Sequence, residues 1–184
     1  MLAVAALALG AAQPAAAQFA QNSKAPIDAQ SDHFEHVNSQ CMSMWQGNVE
    51  AAQDNARLRT DTLKIYSEKV AKPGSSTNDC GNIVSAEADG SVYYVTPRQR
   101  VKGDKAVYEA SSGTITITGD VVALQDKNVM RGNRMVINVS TGDGRMEAAQ
   151  TASGKPGRVR TVIYPNQSNK PPTAAPQPAA PPRR

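Results

Sequence analysis

Apolar and polar positions alternate with a period of two along much of this 184-residue chain. Ile115, Ile117, Val121 and Ala123 share one parity, with Thr and Asp between them, and Met135, Ile137 and Val139 repeat the pattern. That period places alternate side chains on opposite faces of a β-strand. Glycines at 90, 103, 113, 119, 132 and 142 interrupt the stretches at turn-like intervals. Between residues 27 and 164 there are 15 Val and 7 Ile but only 3 Leu. Branching at Cβ stiffens χ1 and suits a pleated surface, so this ratio predicts strands rather than helices.

One segment resists. Residues 50–72 (EAAQDNARLRTDTLKIYSEKVAK) are rich in helix formers and lack Gly and Pro, so propensity alone favours a helix. Internal repetition decides against it. Residues 47–68 align with 119–140 at an offset of 72, with seven of 22 positions identical, including Gly47/Gly119, Val49/Val121, Arg59/Arg131 and Ile65/Ile137. The second copy carries Gly132 and a β-branched run and makes a poor helix, so both copies are expected to be stranded. A third copy lies between them. Gly90-Ser91-Val92 matches both Gly-x-Val segments, and residues 103–108 match 132–137 at an offset of 29. Each unit reads as a strand, a Gly-x-Val strand, a polar turn and a strand. Units of this kind bury their apolar faces only by stacking on one another.

Counting parity from each Gly-x-Val glycine predicts the inward face. It carries Trp45, Val49 and Ala51 in the first unit, Ala86, Ala88, Val92 and Tyr94 in the second, and Ile115, Ile117, Val121 and Ala123 in the third. Leu63, Ile65, Met135, Ile137 and Val139 join them from the paired strands. A wall of small aliphatic side chains suits a narrow, acyl-lined groove. A modest packed core is the alternative reading.

Composition divides the chain into unlike parts. Residues 1–17 are uncharged and apolar through Ala12, and Ala15 and Ala17 fit the small-residue rule for signal cleavage. A cleaved export signal is expected there, although no basic residue precedes the apolar run; a short anchor helix is the other reading. No apolar run reaches the roughly 18 residues a membrane span needs. Residues 18–26 are expected to be a flexible leader. Residues 165–184 hold seven of the twelve prolines and read as a disordered, polyproline-like tail. The remaining domain, 27–164, carries 16 acidic and 16 basic residues, so the net charge of +4 belongs to the flanks and offers no sign of a nucleic-acid surface.

The stretches PIDAQSD (26–32), WQGNV (45–49), DTLKIY (61–66), ADGSVYY (88–94), KGDKAVY (102–108) and ITGDVV (117–122) now give a family resemblance. In order and spacing they resemble the OstA-like family of periplasmic lipopolysaccharide-transport proteins. The resemblance implies an all-β fold, an open β-jellyroll of antiparallel strands in two facing sheets. It also implies that lipid A acyl chains lie between the sheets. End strands would pair with neighbouring jellyrolls: further copies of itself, an inner-membrane-anchored LptC-like component and an outer-membrane LptD-like one. On that reading Ile27 and Ala29 belong to the first edge, and Val159, Val162 and Tyr164 to the last strand. The location implied is the periplasm of a Gram-negative bacterium. Two features depart from the family pattern: the stretch Lys72 to Asn82 lengthens one loop, and the proline-rich tail follows the last strand.

Cys41 and Cys80 are an even pair in a chain expected to be exported, which predicts a disulfide; two thiols too distant to bridge are the alternative. His33 and His36 fall on opposite faces of a strand, so no metal site is expected. Arg98, Arg100, Lys102 and Lys105 read as a solvated hairpin or, through the resemblance, as contacts for lipid phosphates at the jellyroll mouth. No nucleophile motif, phosphate loop or paired-carboxylate set stands out, so neither catalysis nor a cofactor is expected. The rivals are a membrane-anchored scaffold of the same transport system and a carbohydrate-active β-solenoid enzyme.

Overall fold

The computed structural model describes residues 23, 25–71, 79–149 and 157–165. The predicted signal, most of the leader and the proline-rich tail lie outside the described residues, as does the centre of the lengthened loop. Ten strands form: β1 (Asp28–Gln30), β2 (His33–Val37), β3 (Met42–Gln53), β4 (Ala56–Val70), β5 (Asp79–Val95), β6 (Arg100–Glu109), β7 (Thr114–Gln125), β8 (Asn128–Asn138), β9 (Gly144–Glu147) and β10 (Arg160–Val162). The helix-prone segment forms the end of β3, the turn at Asp54 and Asn55, and strand β4. Its charged residues Arg57, Arg59 and Glu68 are exposed while Leu58 and Leu63 are buried, so half-burial on a sheet overrides helix propensity.

Every pairing is antiparallel. The ladder runs β1-β3-β4-β5-β6-β7-β8-β10, with β2 extending β1 along β3 and β9 on β8. The two facing layers are thus one continuous sheet folded along a line of corners. At the corner the register slips by one residue between every neighbouring pair of long strands from β3 to β8. Two residues of β3, Gly47 and Asn48, stand opposite one of β4, Asp61; Gly90 and Ser91 stand opposite Asp104, and Gly119 and Asp120 opposite Asn133. These are β-bulges, which bend a strand sharply.

The repeated Gly-x-Val motif is therefore the corner itself. Gly47 (φ 79°), Gly90 (φ 82°) and Gly119 (φ 109°) take left-handed conformations that glycine adopts without steric cost. Asp61 and Asp104 press against Gly90 and Gly119 from the adjacent strands, and Asp32 presses against Gly47 from the bend between β1 and β2, each occupying the space a Cβ would need. Groups displaced from the ladder find side-chain partners. The Thr60 hydroxyl donates to the carbonyls of Asp89 (2.8 Å) and Gly90 (3.0 Å), and Asn133 Nδ2 donates to the Gly119 carbonyl (2.8 Å).

The bend divides the sheet into a half that ends in the turns near Asp54, Pro97 and Asp126, and a half that contains β2, β9 and the β4–β5 ribbon. Apolar residues of both halves meet in one core, centred on Val92, Ile117, Val121 and Ala123, each fully buried. β10 falls within the expected last strand, whereas β9 adds a strand that alternation does not predict.

Candidate functional site

The seam between the halves holds the buried apolar cluster of the described residues. All sixteen residues predicted to face inward reach it: thirteen are buried in the core, and Trp45, Ile65 and Ala86 are half-buried against it. The face also contains residues the parity count passed over. Leu58, Val101 and Ala106 are buried, and Tyr108 packs on them. The phase explains the omission. Leu58 pairs with Tyr94 and Leu63 with Ala88, so β5 uses six residues across the corner where β4 uses five. Paired residues share a face. One strand must therefore reverse its alternation, and the strands lacking Gly-x-Val are the ones that do. The repeat held the missing signal, since the 29-residue offset lays Ala106 on Met135 and Tyr108 on Ile137.

A wholly apolar cavity of about 40 Å³ runs along this seam between Ile27, Ala51, Leu58, Tyr94, Ala106 and Ile115. Ile27, expected at the first edge, lines this cavity, while Ala29 pairs with Ala51 on the edge strand and packs on the core. A second cavity of about 210 Å³ lies where the tips of the two halves meet, lined by Asp54, Ala56, Tyr94, Arg98, Ile137 and Val139. Tyr94 lines both spaces. Burial pushes its hydroxyl up from 10.0 to about 12, because an ionised phenolate would be stranded in an apolar seam. Arg98 reaches across the mouth and donates from Nη1 to the Thr141 carbonyl at 3.1 Å, tying one tip to the other. Of the predicted basic stretch, Arg98 thus stands at the mouth. Arg100 and Lys102 point outward from one half, and Lys105 lies 3.9 Å from Asp89 on the outside of the other.

The remaining candidates lie apart from the seam. Cys41 and Cys80 are joined (Sγ–Sγ 2.12 Å, Cα–Cα 5.3 Å), fastening the start of β5 to the turn before β3. His33 and His36 are exposed on β2, and His36 Nδ1 lies 2.9 Å from the Ser43 hydroxyl. Among the described residues no three metal-ligating side chains stand together. Val159, Val162 and Tyr164 are exposed around β10, with Ile163 beside them.

No curated protein sequence matches the chain. Among solved structures it is similar to the crystal structure of LptH, described as the LptA homologous periplasmic component of the conserved lipopolysaccharide transport device from Pseudomonas aeruginosa. The identity is 19%, the TM-score 0.64, and the match covers 79% of this chain and 99% of that one. That likeness establishes the fold. Residues 28–143 match the sequence profile described as LptA/(LptD N-terminal domain) LPS transport protein. With its Gly-x-Val corners, folded antiparallel sheet and profile match over most of its length, the chain belongs to the LptA/LptD N-terminal domain family of lipopolysaccharide-transport proteins.

Proposed function

We propose that this protein is a periplasmic carrier that holds the acyl chains of lipopolysaccharide between the two halves of its folded sheet. It performs no chemistry of its own. The observation that carries the reading is the uninterrupted apolar seam, lined from both halves and bordered by a mouth that one hydrogen bond spans. Its volume supports a carrier that opens. A cavity of about 40 Å³ is far below the roughly 300–1,000 Å³ of a typical ligand pocket, so loading requires the halves to part. Each methylene then buried contributes about 0.8 kcal/mol, which offsets the core packing given up on opening. Binding of this kind is tight enough to shield lipid yet graded by how far the seam must spread.

The edges support a place in a bridge. Among the described residues, β1–β2 and β9–β10 each have a strand partner on one side only. Their free N–H and C=O groups can be satisfied by a strand from a neighbouring jellyroll. The charges suit head-to-tail contact, with Asp28, Asp32 and Glu35 at the first edge and Arg158 and Arg160 at the last, where Arg145 is already ion-paired with Glu147 at 3.1 Å. The neighbours on this reading are further copies, the inner-membrane-anchored component and the outer-membrane component. A Cys41–Cys80 bond suits an oxidising compartment, with residues 1–17 removed on export.

Site-specific photo-crosslinking tests the groove. Crosslinkers at Val92, Ile117 and Ile137 should capture lipopolysaccharide, whereas those at Thr116, Thr118 and Val136, on the opposite parity, should not. Arg98→Ala, which frees the mouth, should increase capture at the inward positions. Equal capture at both parities would sink the groove assignment.

A further inference from the structure

The domain is electrically neutral in sum, yet its two outer faces differ sharply. Strand register places two cross-strand rows on the outside of the half that ends in the Asp54, Pro97 and Asp126 turns. One row contains Arg57, Val95, Arg100, Leu124 and Val129. The other contains Arg59, Tyr93, Lys102, Val122 and Arg131, and ends on Arg160 of β10. The six basic side chains of these rows are all exposed. The acids in the same rows are Glu50, ion-paired with Arg59 at 2.6 Å, and Asp28 on the edge strand. The corresponding rows on the other half balance: Lys64, Lys105, Arg134 and Arg145 against Glu35, Glu87, Asp89 and Glu147.

We propose that this basic outer face docks on a bilayer surface rich in anionic phospholipid headgroups, so that the protein lies against a membrane while its seam stays free. Three observations favour a membrane surface over a single bound anion or an acidic protein. First, the charges do not converge. They sit on β4, β6, β8 and β10, and from β4 to β10 five strand steps of about 4.8 Å spread them over about 24 Å. That span offers one charge to each of several headgroups. Second, apolar side chains lie between the charges: Val95, Leu124 and Val129 are half-buried in the same row as Arg57 and Arg100. A headgroup layer presents anions and an apolar boundary together, which such a mixed face matches. Third, the interfacial aromatic is present. Tyr93 is 46% exposed with Lys102 Nζ 5.9 Å from its ring centre, and the row of Val95 runs on to exposed Val162, with Ile163 and Tyr164 following. Amphipathic rings flanked by cations settle at the depth of lipid headgroups.

This inference stands independently of the acyl-chain groove, and its test uses vesicles without lipopolysaccharide. The full chain is floated with vesicles of phosphatidylglycerol and phosphatidylethanolamine, and in parallel with vesicles of phosphatidylcholine and phosphatidylethanolamine. Binding is expected to the first only, and it should be lost in high salt as the screening length shrinks from about 10 to about 3 Å between 0.1 and 1 M. Each basic side chain near an anionic surface is worth about fivefold in affinity, so Arg100→Glu with Lys102→Glu should weaken binding by about 25-fold or more. Lys64→Glu with Arg145→Glu makes the same change in net charge on the balanced face and should leave binding unaltered. Arg100→Lys with Lys102→Arg should retain binding, separating loss of charge from loss of fold. Equal weakening by both charge reversals would overturn the proposal, as would capture by an acidic polypeptide with no binding to either vesicle.

Discussion

The Gly-Asp corner makes a quantitative claim that Gly90→Ala tests directly. Gly90 has φ 82°, and forcing an L-residue into that conformation costs about 1–2 kcal/mol. A Cβ at this position would also meet Asp61, with Cγ at 2.8 Å and Cβ at 2.9 Å. Displacing that neighbour is a local overpacking worth about 1–3 kcal/mol. The sum is about 2–5 kcal/mol. Gly113→Ala is the internal control, since its φ is 60° and a new Cβ would meet only Val139 Cγ2 at 4.0 Å. That variant should carry the backbone strain alone. Equilibrium urea unfolding followed by circular dichroism gives both values, and melting temperatures provide a second measure at about 2–4 °C per kcal/mol. In an Asp61→Gly background the steric share should disappear, bringing Gly90→Ala down to the cost of Gly113→Ala. Should the two alanine variants agree within about 0.5 kcal/mol in the native background, the tightly packed corner is refuted.

Two further outcomes follow from the seam and its fastening. Below pH 10 Tyr94 is protonated in both folded and unfolded chains, so its contribution is intact. Between pH 10 and about 12 only the unfolded chain ionises, and stability should fall by about 3 kcal/mol. Tyr94→Phe should flatten that alkaline limb in pH-dependent unfolding, and an unchanged limb would remove the desolvation argument. Reducing the Cys41–Cys80 bond, which closes a segment of 39 residues, should cost about 3–4 kcal/mol on the loop-entropy model, read as a fall of roughly 10 °C in melting temperature. A melting curve indifferent to reductant contradicts that linkage.

Much of the inner face was legible because alternation is local. Ile115 and Ile117 need only their own neighbours to announce a strand face, and the 72-residue repeat extends strand character to β4 against its helical propensity. The Gly-x-Val motif was visible as a repeat, but its meaning as a bend was not. Its left-handed glycines make sense only beside the aspartates packed against them, which lie 15 to 29 residues away in sequence. β9 stayed hidden for a related reason. Gly144–Glu147 has no alternation of its own, and it is a strand because the Arg134–Ile137 edge of β8 offers it a ladder.

The chain by itself determined that it would fold as stacked β-units with an aliphatic interior, since side-chain branching and period-two alternation act over a few residues. Only the tertiary structure decided which phase each strand keeps through the corner, and therefore that Leu58, Val101 and Ala106 join the seam. It also decided where the balanced charges go. Sixteen acids and sixteen bases between residues 27 and 164 sum to zero in any fold. The register of six paired strands is what collects Arg57, Arg59, Arg100, Lys102, Arg131 and Arg160 on one outer face. Register depends on partners far apart in sequence, and one extra residue at a bulge resets it.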